Sequence, residues 1–396
     1  MSKDLDPSIL SKHWGINLDQ ARRTLLSAEH YHISTPEVQL SRRRRAGHGR
    51  REQRSLHGHL SRFCSDTFKS NVKSLRGNKY IQLFCNRGNF SKCYPMVNRF
   101  EAPDALHRFI DEVGVPSELL TDGAPELLYA GWKKLCQRYR IKQITTEPDS
   151  PWQNPAELSG GIIKRIVRRT MKSVNAPIHL WGYCWEYLSS VRNMTSTDHH
   201  LLDDVTPFQK VYEYSPDISE YTQYRWFDWI WFLDIHNPMR ESLGRWLGPA
   251  QDYGEGFTLH ILTKSGKVIV RSTTRRLTND ESESADVERT KLEFTREMES
   301  RIGNDSTSTV SNKDQIVEDP YENLFEEDDL DDAEIIPQEK GVTFHDTDDP
   351  PFVENLDEHI GVKLRLPVSG ELKEGTILRR KRKADGTLIG TSHYNP

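Results

Sequence analysis

Between residues 60 and 174 the apolar pattern changes period repeatedly, and that alternation limits the fold more than anything else in the chain. Tyr80-Ile81-Gln82-Leu83-Phe84-Cys85 is rich in β-formers, Arg87-Gly88-Asn89 follows as a turn, and Phe90 to Val97 returns. A hairpin is therefore expected within residues 60–100. Over residues 103–113 Leu106, Phe109, Ile110 and Val113 recur at helical spacing, Asp104 lies in the first turn, and Gly114-Val115-Pro116 ends the helix. Glu118 to Leu120 reads as a short strand. Pro125 to Tyr139 reads as a helix with Leu127, Leu128, Trp132, Leu135 and Cys136 on one side, and Ile141 to Thr145 as another strand. The longest helix is expected from Asn154 to Val174, with Asn154 as cap and Pro155 in the first turn, where its missing N–H does no harm. A further helix covers residues 178–194. This order of hairpin, helix, strand, helix, strand, helix is that of a layered α/β domain.

Three acids punctuate the pattern. Asp66 lies in a strand-like segment, Asp122 follows the short strand, and Glu157 opens the long helix. Gathered without a cation they would repel, at roughly 4 kcal/mol for two unit charges about 4 Å apart at an effective dielectric of about 20. Such a cluster calls for hard divalent ions with oxygen ligands. Two ions about 3.5–4 Å apart can activate an attacking oxygen and steady the leaving oxygen of a phosphodiester. On the helical wheel Lys164 and Arg168 fall within about 20° of Glu157, while Ile162, Ile163, Ile166 and Val167 lie toward the other side. A solvated face of an ordinary amphipathic helix would carry the same charges. Gly160-Gly161 follows Glu157 by one turn, and each glycine costs about 1 kcal/mol against alanine in a helix interior. The pair either frays the turn or lets a phosphate backbone come close; the sequence leaves both readings open.

The chain has 396 residues, 35% of them hydrophobic, with a mean hydropathy of −0.73, so part of it is expected to be disordered. Residues 281–358 hold 26 Asp or Glu against 6 Lys or Arg, which leaves the remainder at +15 although the whole chain carries −5. A basic body beside an acidic segment suits nucleic-acid binding. The layout read from these shifts has five parts: a basic N-terminal arm at 1–60, the α/β core at 61–200, a small antiparallel β-domain at 221–278, an acidic linker at 279–358 and a basic segment at 359–396. The arm carries Arg42, Arg43, Arg44 and Arg45, which fit phosphate contacts or a solvated linker equally well. Trp226, Trp229 and Trp231 are expected in a small core rather than stacked on bases. Five cysteines without framework spacing, and a polar start, point to a reducing intracellular compartment. His30, His32, His48, His57 and His59 are followed by no C-x-x-C, so zinc is not expected. No run of about 18 apolar residues exists, so no membrane span is expected. Leu378-Arg379-Arg380-Lys381-Arg382-Lys383 could serve nuclear import or contact DNA.

Several stretches resemble the integrase region of copia-type retrotransposon polyproteins, within the acidic-triad integrase and transposase superfamily. They are Asp66-Thr67, Lys73-Ser74-Leu75-Arg76-Gly77-Asn78-Lys79, Gly114-Val115-Pro116, Thr121-Asp122-Gly123, Glu147 through Glu157 and Arg245-Trp246-Leu247-Gly248. Ser150-Pro151-Trp152-Gln153-Asn154 before an acid is the most specific of them. The resemblance implies a ribonuclease-H-like core, a small C-terminal β-barrel and metal-binding roles for Asp66, Asp122 and Glu157 with two Mg²⁺ or Mn²⁺ ions. It further implies DNA held by Lys164, Arg168 and Arg42 to Arg45, joining of element 3′ ends to target DNA, and a homo-oligomer. The 34 residues between Asp122 and Glu157 are slightly fewer than usual in that superfamily. The alternative is a retroelement remnant that binds DNA without joining it. The missing zinc module, Gly160-Gly161 and the lack of any polymerase-like sequence favour that alternative.

Overall fold

The computed structural model describes residues 5–30, 56, 61–128, 130–147, 154–197, 202, 205–233, 241–250, 253, 257–302, 319–325, 363–368 and 371–376. The runs Arg42–Arg45 and Arg379–Lys383, the motif residues Ser150–Gln153 and most of the acidic linker lie outside them.

Helix α1 (Pro7–Trp14) starts at Asp6, whose carboxylate accepts the Ser8 N–H at 2.8 Å, and α2 (Leu18–Ser27) starts at a capping box of Asn17 and Gln20. Both fall in the stretch read from sequence as a polar basic arm. Leu10, Trp14 and Ala21 are buried against the main core, so the segment begins as a docked helical pair.

Five strands form the central sheet: β1 (Arg62–Lys69), β2 (Tyr80–Asn86), β3 (Ser91–Met96), β4 (Glu118–Thr121) and β5 (Lys142–Thr145). Their order is β3-β2-β1-β4-β5, antiparallel from β3 to β1 and parallel from β1 to β5. Parallel neighbours need crossovers, supplied here by α3 (Ala102–Glu112) and by α4 (Pro125–Leu128) with α5 (Ala130–Arg138). These cover one face, where Phe63, Phe84, Phe109 and Trp132 are buried together. Phe84 stacks on Phe109 with ring centroids 4.5 Å apart. The other face is covered by α6 (Pro155–Ser173) and α7 (Trp181–Met194). The mixed α/β class read from the sequence is thus observed, and the strand order and directions are consistent with a ribonuclease-H-like core.

Helix α6 lies over β1 and β2. Residues 64, 66 and 68 share one face of that strand by its two-residue period. Cys64 is buried with Ala156, Cys85 and Leu120, and the Phe68 ring occupies the space over Gly160. A Cβ at Gly160 would overlap the ring carbons of Phe68, whereas one at Gly161 would meet nothing. Neither of the two readings left open for this pair describes Gly160: α6 runs unbroken through it, and what comes close is an aromatic ring rather than a phosphate backbone.

After α8 (Pro207–Tyr212) and α9 (Ser219–Thr222) the chain forms β6 (Trp229–Leu233), β7 (Glu241–Pro249), β8 (Leu259–Leu262), β9 (Val268–Arg271) and β10 (Thr274–Arg276). They make an antiparallel sheet in the order β10-β6-β7-β8-β9. Where a small barrel was expected, no β9–β10 pairing closes the sheet among the described residues. The sheet shares its core with α7: Trp246 and Tyr187 meet edge to face at 5.3 Å. Gly248 stands at the β7–β8 register shift with φ +122°, beside Tyr187. Trp226 is buried, Trp229 lies under the Arg245 guanidinium at 3.5 Å, and Trp231 faces Arg275 at 5.6 Å. Trp226 lies in the core, as expected, whereas Trp229 and Trp231 are half-buried and sit under these cations.

The acidic segment read as disordered contains structure. A second capping box, Thr278 with Glu281, opens α10 (Asn279–Glu283), and α11 (Ala285–Ile302) buries Phe294 and Met298 against the sheet. Residues 319–325 form a short strap on α6 and α7 with Tyr321, Leu324 and Phe325 buried. Each such apolar side chain contributes about 1.5–3 kcal/mol, enough to order a strongly acidic stretch locally. Residues 330–396 are a separate unit, in which β11 (Lys363–Val368) and β12 (Glu371–Thr376) form a hairpin.

The glycine pair gives opposed expectations. Gly160→Ala should gain about 1 kcal/mol of helix propensity but lose about 1–3 kcal/mol to overpacking on Phe68, for a net destabilisation. Gly161→Ala, with open space around it, should stabilise by up to about 1 kcal/mol. Urea denaturation of the two variants checks this, and equal shifts of the same sign would refute the contact.

Candidate active site

Asp66 sits in the middle of β1, paired with Leu83 of β2. Strands β1 and β4 run parallel, with Cys64 beside Leu120. Continued two residues further, that register sets Asp66 opposite Asp122, which follows β4 immediately. Neighbouring strands lie about 4.8 Å apart, so the two carboxyls belong to one end of the sheet. Glu157 comes from the first turn of α6. Asn154 fixes that turn: its Oδ1 accepts the Ala156 N–H at 3.1 Å, and its Nδ2 donates to the Ser65 carbonyl at 3.3 Å, the residue before Asp66. Asn154 is buried, Asp66 and Asp122 are half-buried, and Glu157 is exposed.

The electrostatics agree with a shared neighbourhood. The Asp66 carboxyl is pushed up to about 8, first by burial, next by the negative charge of Asp122, and also by that of Glu157. The Thr67 N–H, which donates to it at 2.8 Å, and the Lys164 ammonium pull the other way. Lys164 lies over the Phe68 ring at 4.8 Å, so its placement also follows from the α6–β1 contact. Asp122 is raised by burial and held down by the Ala124 N–H and Arg99. Glu126 is raised by burial and further by Asp122, against a downward pull from Arg99. Neither Glu126 nor Arg99 was read from the sequence as part of the site. Glu126 lies in α4 only four residues after Asp122, close enough in sequence to have been considered, whereas Arg99 arrives from a distant turn.

The three acids and Lys164 therefore occupy one region. Arg168, expected on the same surface, is engaged differently: its Nη2 donates to the Phe325 carbonyl at 3.0 Å. Arg42, Arg43, Arg44 and Arg45 lie outside the described residues. Among the described residues, no group of three His, Cys, Asp or Glu side chains is gathered closely enough to hold a metal ion. The donors nonetheless suit a hard divalent ion in kind: all are carboxylate oxygens carrying more negative charge than Lys164 offsets. The nearby thiols do not compete as ligands, since burial pushes Cys64 up to about 11 and Cys85 higher still. His30 is engaged by the Thr222 hydroxyl at 3.1 Å.

No protein-family model and no curated protein matches the sequence. Among solved structures, one similar chain belongs to a simian T-cell lymphotropic virus intasome in complex with the PP2A regulatory subunit B56 gamma. It is 16% identical over 69% of this chain and 95% of its own, with a TM-score of 0.34. The HTLV-2 integrase catalytic core domain in complex with magnesium matches in a trimeric form, at 16% identity over 40% of this chain and 99% of that one, TM-score 0.31. Its dimeric form gives 17%, 39%, 98% and 0.30. At these scores the likeness carries no argument for the site, which rests on the geometry above.

The raised Asp66 carboxyl has a consequence for stability. Unfolded, it titrates near the ordinary aspartate value of about 3.9; folded, near 8. Between those values the folded chain keeps a proton that the unfolded chain has lost, so this group makes stability fall as pH rises. Without divalent ions, the difference in Tm between Asp66→Asn and the parent protein should grow in the variant's favour from pH 5 to pH 8. Each kcal/mol of penalty removed corresponds to about 2–4 °C. Parallel Tm curves would contradict a buried, mutually repelling carboxyl.

Proposed function

We propose that this chain is a metal-dependent polynucleotidyl transferase of the integrase type, joining 3′ ends of retroelement DNA to a target duplex. One observation carries the reading: the β1–β4 register, continued two residues, sets Asp66 opposite Asp122, and Asn154, three residues before Glu157, ties the start of α6 to the carbonyl of Ser65 beside Asp66. Burial and the two neighbouring acids also push the Asp66 carboxyl up to about 8, a setting in which a bound cation would favour its ionised form. Asp66, Asp122 and Glu157 would hold Mg²⁺ or Mn²⁺. Bound there, two ions would supply Lewis-acid stabilisation of the attacking and leaving oxygens.

The remaining work falls to the chain itself. Asp66 must give up its proton to serve as a ligand, so ion uptake should release protons and strengthen toward alkaline pH. Lys164, over Phe68 and near Asp66, would contact a phosphate next to the reacting one. Arg168 and the Arg42–Arg45 run would add sequence-independent, salt-sensitive contacts to the backbone. In the joining step the donor 3′ oxygen forms a new bond to a target phosphorus. The target's own 3′ oxygen departs, and the attacking hydroxyl's proton passes to solvent. Positioning and charge neutralisation suffice, and no covalent protein intermediate is required. A homo-oligomer and a nuclear site of action belong to this reading, as does an antiparallel β-domain closing into a barrel.

A second reading, a remnant that binds DNA without joining it, is favoured by the absence of a gathered three-ligand group among the described residues. Purified protein, a short donor duplex, a plasmid and Mn²⁺ separate the two. Joined product is expected, falling about 100-fold in Glu157→Gln, which corresponds to about 2.7 kcal/mol of barrier. Duplex retention without joining under Mg²⁺ or Mn²⁺, unchanged by that substitution, would establish the remnant instead.

A further inference from the structure

Four cations on successive turns of α6, Arg165, Arg168, Arg169 and Lys172, face the strap formed by residues 319–325 across a cavity of about 270 Å³. Lys172 pairs with Asp319, and Arg168 donates to the Phe325 carbonyl at 3.0 Å. The strap is fastened from both sides. Asn71 donates its backbone N–H to the Leu324 carbonyl at 3.1 Å and its side-chain amide to the Asn323 carbonyl at 2.8 Å. The Tyr321 hydroxyl donates to the Ala176 carbonyl at 2.8 Å. Phe325 meets Trp185 and Trp181 edge to face at 5.0 and 5.7 Å.

The fastening and the charge are separate. Tyr321, Leu324 and Phe325 are buried and hold the strap, while Glu322 is exposed and Asp319, among the described residues, is tied to Lys172 and to its own turn. The strap thus lays carboxylates along the cation row that, on the reading above, follows Glu157 and Lys164 down the same helix. Two anions spaced over four residues of chain imitate a short stretch of phosphodiester backbone in charge, though not in its covalent structure.

We propose that Asp319–Phe325 is a built-in competitor for nucleic acid, which holds the Arg165–Lys172 face of α6 until a duplex displaces it. The proposal rests on the reading of α6 as a DNA-contacting helix and adds a control on it. Residue-level contacts support it: a strap serving only as a structural clasp would have no need of an acid on Lys172, because its apolar anchors already seat it.

The test uses the full chain, a random-sequence duplex and no joining step. The double variant Asp319→Asn, Glu322→Gln leaves all three anchors in place. It should bind duplex at least about threefold more tightly at low salt. Its log–log salt dependence should be steeper by about 1–2, as cations released from the strap take up phosphates. Adding Arg165→Gln and Arg169→Gln should reverse the gain. Hydrogen exchange supplies the second readout: duplex should speed exchange at Asn71, whose N–H is held by the strap. Equal duplex affinity of parent and double variant, or Asn71 exchange that duplex leaves unchanged or slows, overturns the proposal alone. Absence of duplex binding by both proteins overturns it together with the nucleic-acid reading. Failure to join strands bears only on the carboxylates.

Discussion

The seating of α6 on β1 is the contact on which the rest of the molecule depends. Ala156 fits among Cys64, Cys85 and Leu120, and Gly160 gives its space to the Phe68 ring, one turn further along. Between these two contacts lie Glu157 on the helix and Asp66 on the strand. The approach is made by small side chains and one aromatic ring, so the helix axis can come close to the sheet. Mutual repulsion of the acids pushes the other way, by roughly 4 kcal/mol for a pair about 4 Å apart at an effective dielectric of about 20. Apolar burial on both sides of them is of comparable size, at about 1.5–3 kcal/mol for a large side chain. The carboxylates do not bring themselves together; a dry interface beneath them does.

That balance accounts for the state of the site. The Asp66 carboxyl responds to being held near like charges by keeping its proton up to about pH 8, which removes most of the repulsion. Glu157, at the solvent edge of the first turn, can turn outward at little cost. A site of this kind need not be closed around an ion in order to be suited to one. Its backbone positions are set by the β1–β4 register and the Asn154 bridge to Ser65, and the final approach of the oxygens is left to side-chain torsions. Lys164, held over Phe68 by the same contact, is a cation whose charge is felt at Asp66.

What was legible in the sequence follows the range of the forces involved. Local signals read well: Asn154 followed by Pro155 marks the start of α6, which runs Pro155–Ser173 where Asn154 to Val174 was expected. The hairpin and the α3 and α4–α5 crossovers also fell where period and turn residues put them. Gly160 was ambiguous because its partner, Phe68, lies more than ninety residues away and nothing near the glycine signals a ring. Helices α1 and α2 were missed because their capping residues sit in a polar stretch whose few apolar side chains find their core only in the folded chain. Closure of the second sheet was not legible: five short strands suggest a barrel, but tilt and stagger decide closure, neither is written in a strand's period, and the described residues show the order β10-β6-β7-β8-β9.

The strap shows the same limit in its sharpest form. Charge composition marks residues 281–358 for disorder, and averaged over that span the reasoning is sound. An average does not see three apolar residues within five positions. Tyr321, Leu324 and Phe325 have too little local pattern to suggest structure by themselves, and their partners, Ala176, Ser70 and Trp185, are remote in sequence. Once docked, they bring acids onto a row of cations that the sequence presents as free. The basic surface of α6 is thus not a property of the helix alone. Its charge is set by which segment occupies it, and an acidic segment of the same chain, held at high effective concentration by its tether, is the occupant that any nucleic acid must outcompete.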